Sequence, residues 1–332
     1  MTGENIAKRK AWVVPKHPPR PGLRALFGGP AGRAAFKHYW FKEGPGNALD
    51  ISFYFALKLL PLDVCSDFGS WVGRFAIPRW FKTQERRVRE NLRRLRPDLD
   101  DDARDALFMA NCDAQGRLLT EYSIVSRIAA TPGRIVRHNT DQILNAVSQG
   151  PVILACLHLG NWEVMGPELV SMGVVPRVNY APPPRRGRAW IVDRVRQQGG
   201  VQLLPPGHSS MRPAVKELKA GGVLLQFCDE GFRGKLRGPL FGRKPHLEGN
   251  LAVIARLARM TGARICPIYT LRTHKANFTF HCETPFTLPP DDGTGDRLLE
   301  DIKLINSVIE PIVHANLEQW YFLDNEIPTD GK

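Results

Sequence analysis

LACLHLGNWE, residues 154–163, is the stretch on which the reading of this chain turns. An apolar run stops at His158, turns through Gly160 and Asn161, and presents Glu163 five positions after the histidine. Two readings are open. In one, His158 merely ends a buried strand and Glu163 is the acidic first turn of the next helix, where the positive end of the helix dipole favours a carboxylate. In the other, the two side chains come together at an open edge and do chemistry.

The surroundings bear on the choice. From Gly150 onward, β-rich runs alternate with helical stretches. VILACL (152–157) is followed by a helix from about Asn161, VVPRVNY (174–180) by a helix over 186–198, and VQLLPP (201–206) by one near 211–220. VLLQFC (223–228) then precedes a helix over 247–261 and RICPIYTL (264–271), NFTFHCETPF (277–286) adds a strand, and 294–317 forms a closing helix. This alternation predicts an α/β fold, a mainly parallel sheet flanked by helices. Such sheets bind ligands at the carboxyl ends of their strands. His158 ends one strand and Asp229, in LLQFCDEG, ends another, so two functional groups reach one edge by independent routes.

Upstream the texture differs. Residues 1–45 read as a basic, weakly ordered arm in which KRKAWVVPKHPPRPG lacks any period and GGPAG marks turns. GGPAG has neither the spacing nor the preceding strand of a nucleotide-binding loop. Residues 46–147 read as a helical, membrane-associating region, and 148–325 as the α/β core. Within 48–81 the apolar and aromatic text is broken by Asp50, Lys58, Pro61, Asp63 and Asp67, whereas a spanning helix needs about 20 mostly apolar residues. Trp71, Trp80 and Phe81, set among Arg74, Arg79 and Lys82, suit a helix lying on an anionic membrane or packed on its own domain.

The 332 residues, 43% hydrophobic, suffice for a large core without disulfides or metal. Six cysteines without a CxxC pair read as reduced and structural, and the polar, basic N-terminus lacks a signal peptide's apolar core, which predicts a protein that is not exported. A net charge of +13 implies an anionic partner. No nucleic-acid-binding module is visible, and TQERRVRENLRRLR (83–96) reads as a solvated helix face with Glu–Arg support at helical spacing.

A histidine at a strand end and a carboxylate in the next helical turn can form a base and its orienter, leaving one ring nitrogen to take a proton from a hydroxyl or amine. No nucleophile matches: Cys156 lies deeper in the strand, and Ser209 and Ser210 follow His208 without an elbow motif. Direct transfer is therefore expected, without a covalent enzyme intermediate. With no third ligand in view, zinc is disfavoured, and no metal or cofactor is expected.

HLGNWE is similar to the His-x-x-x-x-Asp/Glu motif of the lysophospholipid acyltransferase superfamily, and with Gly160, Asn161 and Trp162 it resembles the branch of bacterial lipid A late acyltransferases, the lauroyl and myristoyl transferases. RRVRENLRRLRPDL, VRQQGGVQLLP, CDEG and GPLFGRKPHLEGNLAVIARLARMTGARICPIY resemble further segments of that branch in order, so the resemblance covers residues 48–320. It implies a glycerol-3-phosphate acyltransferase-like fold. It also implies acyl transfer from an acyl carrier protein or coenzyme A thioester to a lipid hydroxyl at the cytoplasmic face of the inner membrane. His158 would be the general base and Glu163 its charge partner. Asn161, Arg196 and Asp229 would meet substrate, Arg196 through a phosphate or the developing oxyanion.

The chain departs from the branch at Tyr180-Ala181-Pro182, where Tyr-Arg-Pro is usual, and at WYFLDNEIP, which replaces a Trp-x-His-Arg ending. Arg185 and Arg186 in PPPRRGR are then expected to hold an anionic headgroup. The acceptor could be a lipid A precursor or another lipid such as a glycolipid, phosphatidylinositol mannoside or aminolipid. A lipid-binding homologue without catalysis is the alternative from another class, and intact His158 and Glu163 argue against it.

Overall fold

Val152–Cys156 is buried at every position, so its side chains feed apolar cores on both faces of a sheet, as expected for a central parallel strand. A computed structural model describes residues 17–232, 234–290 and 297–328. The N-terminal region is helical: α1 (Gly29–Lys37), α2 (Gly44–Leu57), α3 (Leu62–Trp80), α4 (Lys82–Leu95), α5 (Asp101–Glu121) and α6 (Val125–Ala130). There follow β1 (Ile135–His138), α7 (Asp141–Ser148), β2 (Val152–Cys156), α8 (Met165–Ser171), β3 (Arg177–Val178), α9 (Arg186–Gln198) and β4 (Gln202–Leu203). The chain continues through α10 (Met211–Lys219), β5 (Val223–Phe227), a hairpin of β6 (Glu230–Phe232) and β7 (Lys235–Gly238), α11 (Asn250–Thr261), β8 (Arg264–His274), β9 (Asn277–Cys282) and α12 (Arg297–Ala315).

Seven strands form one sheet in the order β1-β9-β8-β2-β5-β3-β4, parallel throughout except for the β8–β9 pair. The expected α/β class is therefore the observed one. On one face, Ile153, Ala155 and Leu157 pack with Ile254 of α11 and Ile305 and Ile309 of α12. On the other, Val152, Leu154 and Cys156 pack with Ile143 of α7 and Met165 and Leu169 of α8. The alternation of a strand's side chains thus assigns successive residues of β2 to two cores.

Three features differ from the sequence expectations. Residues 1–16 of the expected arm lie outside the described residues, but its remainder is largely helical, with a 3-10 turn at Leu23–Leu26, α1 and a π turn at His38–Lys42. GGPAG, read as a turn, opens α1 with Pro30 in the first turn, where the missing N–H costs no helical hydrogen bond. β1 and the β6–β7 hairpin were not expected.

The helical region is built into the domain. Gly69 and Gly73 of α3 press against Gly116 of α5 so closely that a β-carbon on any of them would strike the opposite backbone. Around that contact, Arg117 of α5 pairs with Asp67 at 2.9 Å, and Ser66 of α3 donates to Glu121 at 2.7 Å. The small, polar side of α3 thus faces α5. Its other side carries rings in sequence: Phe53 of α2 lies 6.1 Å from Phe68, Phe68 6.1 Å from Trp71, Trp71 5.7 Å from Phe75, and Phe75 5.7 Å from Trp80. Trp71 is 61% exposed and Trp80 71%. Among the described residues, no helix is long and apolar enough to cross a membrane.

Candidate active site

Strand register brings the site together. Cys156 of β2 stands opposite Phe227 of β5, and the ladder continues beyond them with the Cys228 N–H donating to the Cys156 carbonyl at 2.9 Å. Two residues past each strand, His158 and Asp229 come side by side. The fully buried Asp229 accepts from the His158 backbone N–H through Oδ2 at 2.9 Å, and its Oδ1 lies 2.8 Å from Nδ1 of the imidazole. Oδ2 also accepts the indole N–H of Trp320 at 2.8 Å. With Oδ1 accepting from the ring, Nδ1 carries the proton and Nε2 is left as the acceptor.

The imidazole sits among rings. Phe227 stacks on it at 3.9 Å between centroids, while Trp162 at 4.7 Å and Phe322 at 5.0 Å meet it edge to face. Its side chain keeps 16% of its exposure, and Nε2 has no hydrogen-bond partner among the described residues. Cys156 is no competitor as nucleophile, because burial and then the charge of Asp229 push its thiol well above its usual range.

The expected contact between Glu163 and His158 is replaced by this aspartate. Gly160 turns the chain at φ +57°, with the Thr270 carbonyl 2.8 Å from where a β-carbon would sit, and the 3-10 turn Trp162–Val164 carries Glu163 to another partner. Arg196 of α9 grips Glu163 with two nitrogens, Nη2 at 2.8 Å and Nε at 3.1 Å. The Trp162 indole at 3.1 Å and the Tyr122 hydroxyl at 3.2 Å donate to the same carboxylate. Burial alone would lower the Arg196 pKa, but the charge and hydrogen bonds of Glu163 outweigh it and raise it. Burial, reinforced by Glu163, raises that of Tyr122 well above the usual phenol range.

The remaining expected residues have partners of their own. Asn161 is fully buried; its Oδ1 accepts the Glu163 N–H at 3.2 Å and its Nδ2 donates to Glu121 at 3.0 Å. Glu121 in turn pairs with Arg272 of β8. Arg185 pairs with Asp50 of α2 at 3.1 Å, while Arg186 donates to the Tyr39 carbonyl at 2.8 Å with its guanidinium over the Tyr39 ring. The structure thus joins His158 to Asp229 and Glu163 to Arg196, and leaves Arg185 and Arg186 on the N-terminal helices. Trp320, Tyr122, Glu121 and Arg272 were not found by sequence reasoning.

At the strand ends of the sheet, then, one nitrogen of His158 is held by a buried carboxylate and the other is unpartnered among the described residues, an arrangement that can exchange a proton with a bound hydroxyl. The sequence matches the profile of the bacterial lipid A biosynthesis acyltransferases over residues 43–327. The chain belongs to that family. It is therefore an acyltransferase of lipid A biosynthesis type, and its reaction is acyl transfer to a lipid acceptor. No curated protein matches the acyltransferase at the level of sequence. Among solved structures it is similar to the 1-acyl-sn-glycerophosphate (LPA) acyltransferase PlsC from Thermotoga maritima, at 12% identity and a TM-score of 0.36, over 75% of this chain and 96% of that one.

Proposed function

We propose that this enzyme moves a fatty acyl chain from a thioester of acyl carrier protein or coenzyme A to a hydroxyl of a lipid A precursor, with His158 as general base. The observation that carries the reading is the buried Asp229 carboxylate on Nδ1 of His158. As the acceptor oxygen attacks the thioester carbonyl, Nε2 takes the hydroxyl proton and Asp229 stabilises the imidazolium. The new C–O bond forms, the carbonyl oxygen becomes an oxyanion, and collapse breaks the C–S bond. The departing thiolate recovers the proton from His158. Glu163 and Arg196 hold the turn that carries the base, and Asn161 caps that turn. Arg185 and Arg186 seat the N-terminal helices through Asp50 and the Tyr39 carbonyl, and remain the residues proposed to meet an anionic headgroup.

The ring ladder of α2 and α3, flanked by Arg74, Arg79 and Lys82, supports peripheral attachment to the cytoplasmic face of the inner membrane. Rings supply apolar contact, and each cation near an anionic surface adds about 1 kcal/mol. Lipid mass spectrometry of cells with and without the protein tests the function. A lipid A precursor heavier by one acyl chain is the expected product. The same gain on another glycolipid would reassign the acceptor, and no acylated product in any lipid would overturn the reading.

A further inference from the structure

The geometry points to Trp320 as a positioning residue for the base: its indole N–H holds Asp229 in the orientation that orients His158. The inference rests on the reading of His158 as general base. A carboxylate meeting an imidazole with one oxygen is free to swing unless its other oxygen is held. Here Oδ2 takes two donors, the His158 backbone N–H at 2.9 Å and the Trp320 indole at 2.8 Å, which leaves Oδ1 for the ring at 2.8 Å. An indole N–H can only donate, so the contact cannot reverse.

The placement of Trp320 is built from several directions. Residues 317–327 cross the end of β2 as a strap: Leu159 and Trp320 form an antiparallel bridge, and the Tyr321 N–H donates to the His158 carbonyl at 3.0 Å. From α5, Asn111 and Gln115 donate to the Trp320 carbonyl at 3.2 and 3.3 Å. From α4, Asn91 donates to the carbonyls of Leu323 and Asn325, both at 2.7 Å. The indole itself is fully buried, with Phe241 edge-on at 5.7 Å. The same strap lays Phe322 against the imidazole, so one segment sets both the orientation of the base and part of its wall.

Trp320→Phe keeps an aromatic ring there and removes the donor, together with part of the buried indole's volume. Its kcat should fall about tenfold, the rate equivalent of one charge-assisted hydrogen bond, with KM for either substrate unchanged. In an Asp229→Asn background the same substitution should cost nothing further, because the amide already turns its NH2 toward Nδ1 and no correctly oriented base is left for the indole to support. Unchanged kcat, or losses that multiply in the double variant as a purely structural role requires, would overturn the proposal. If Trp320→Phe does not fold, the indole N–H resonances of the full chain in detergent decide it. Asp229→Asn should shift one resonance and Glu163→Gln a different one, that of Trp162; no indole moving on Asp229→Asn would overturn it. His158→Ala run alongside separates the two failures, since an active His158→Ala sinks the general-base reading itself.

Discussion

Replacing Asp229 with asparagine tests the assignment of the base's partner, and the geometry gives the size of the effect. The carboxylate receives three donors, two of them on Oδ2. An amide has one acceptor oxygen. It satisfies more donors by placing that oxygen at the Oδ2 position, which turns its NH2 toward Nδ1 of His158. The imidazole must then accept at Nδ1 and carry its proton on Nε2, the tautomer unable to take a proton from the acceptor hydroxyl. A wrong-tautomer histidine lowers kcat about 10,000-fold in serine proteases, and a loss of about 1,000- to 10,000-fold is expected here. Initial rates of ester formation in mixed micelles, with circular dichroism as the control for folding, measure it. Glu163→Gln provides the contrast, because it breaks a buried pair with Arg196 and should cost about 3–5 kcal/mol of stability. At temperatures where that variant stays folded it should retain more kcat than Asp229→Asn. An Asp229→Asn enzyme within tenfold of wild type, or one faster than Glu163→Gln, would rule out Asp229 as the partner of the base.

Two further outcomes follow from other parts of the fold. Trp71→Ser and Trp80→Ser, both on the exposed ring ladder, should each weaken binding to anionic vesicles by about tenfold in a sedimentation assay, and high salt should release a further part. Burial, offset in part by Arg87, raises the pKa of Asp324 above its ordinary 3.8. A carboxyl raised on folding contributes stability that is present below the unfolded value and lost as pH rises through the folded one. Asp324→Asn should therefore raise the melting temperature at neutral pH and have little effect below about pH 3.8.

The sheet was legible because its central strands are apolar on both faces and separated by helices of ordinary length. β1 was not, since only Ile135 of its four residues is even partly buried, and an exposed edge strand carries little hydrophobic pattern. His158 was legible as a polar residue ending a buried strand. Its partner was half legible: Val152 to His158 and Val223 to Asp229 are the same length, but this matters only once β2 and β5 are known to be neighbours. Glu163 misled by proximity in sequence, because the left-handed Gly160 and the 3-10 turn send it toward Arg196. Trp320 lies 91 residues from Asp229, and no local pattern announces a contact made by a strap folding back over a strand end. Asn91 shows the same difficulty: the resemblance of its helix RRVRENLRRLRPDL to a family segment gave no hint that its side chain holds that strap.

In the proposed reaction His158 removes the proton from the acceptor hydroxyl. The rate of ester formation by His158→Ala under single-turnover conditions, with thioester and lipid both saturating, tests it most directly. A fall of about 100- to 10,000-fold with the fold intact is expected. A folded His158→Ala enzyme that forms ester within tenfold of the wild-type rate would contradict it.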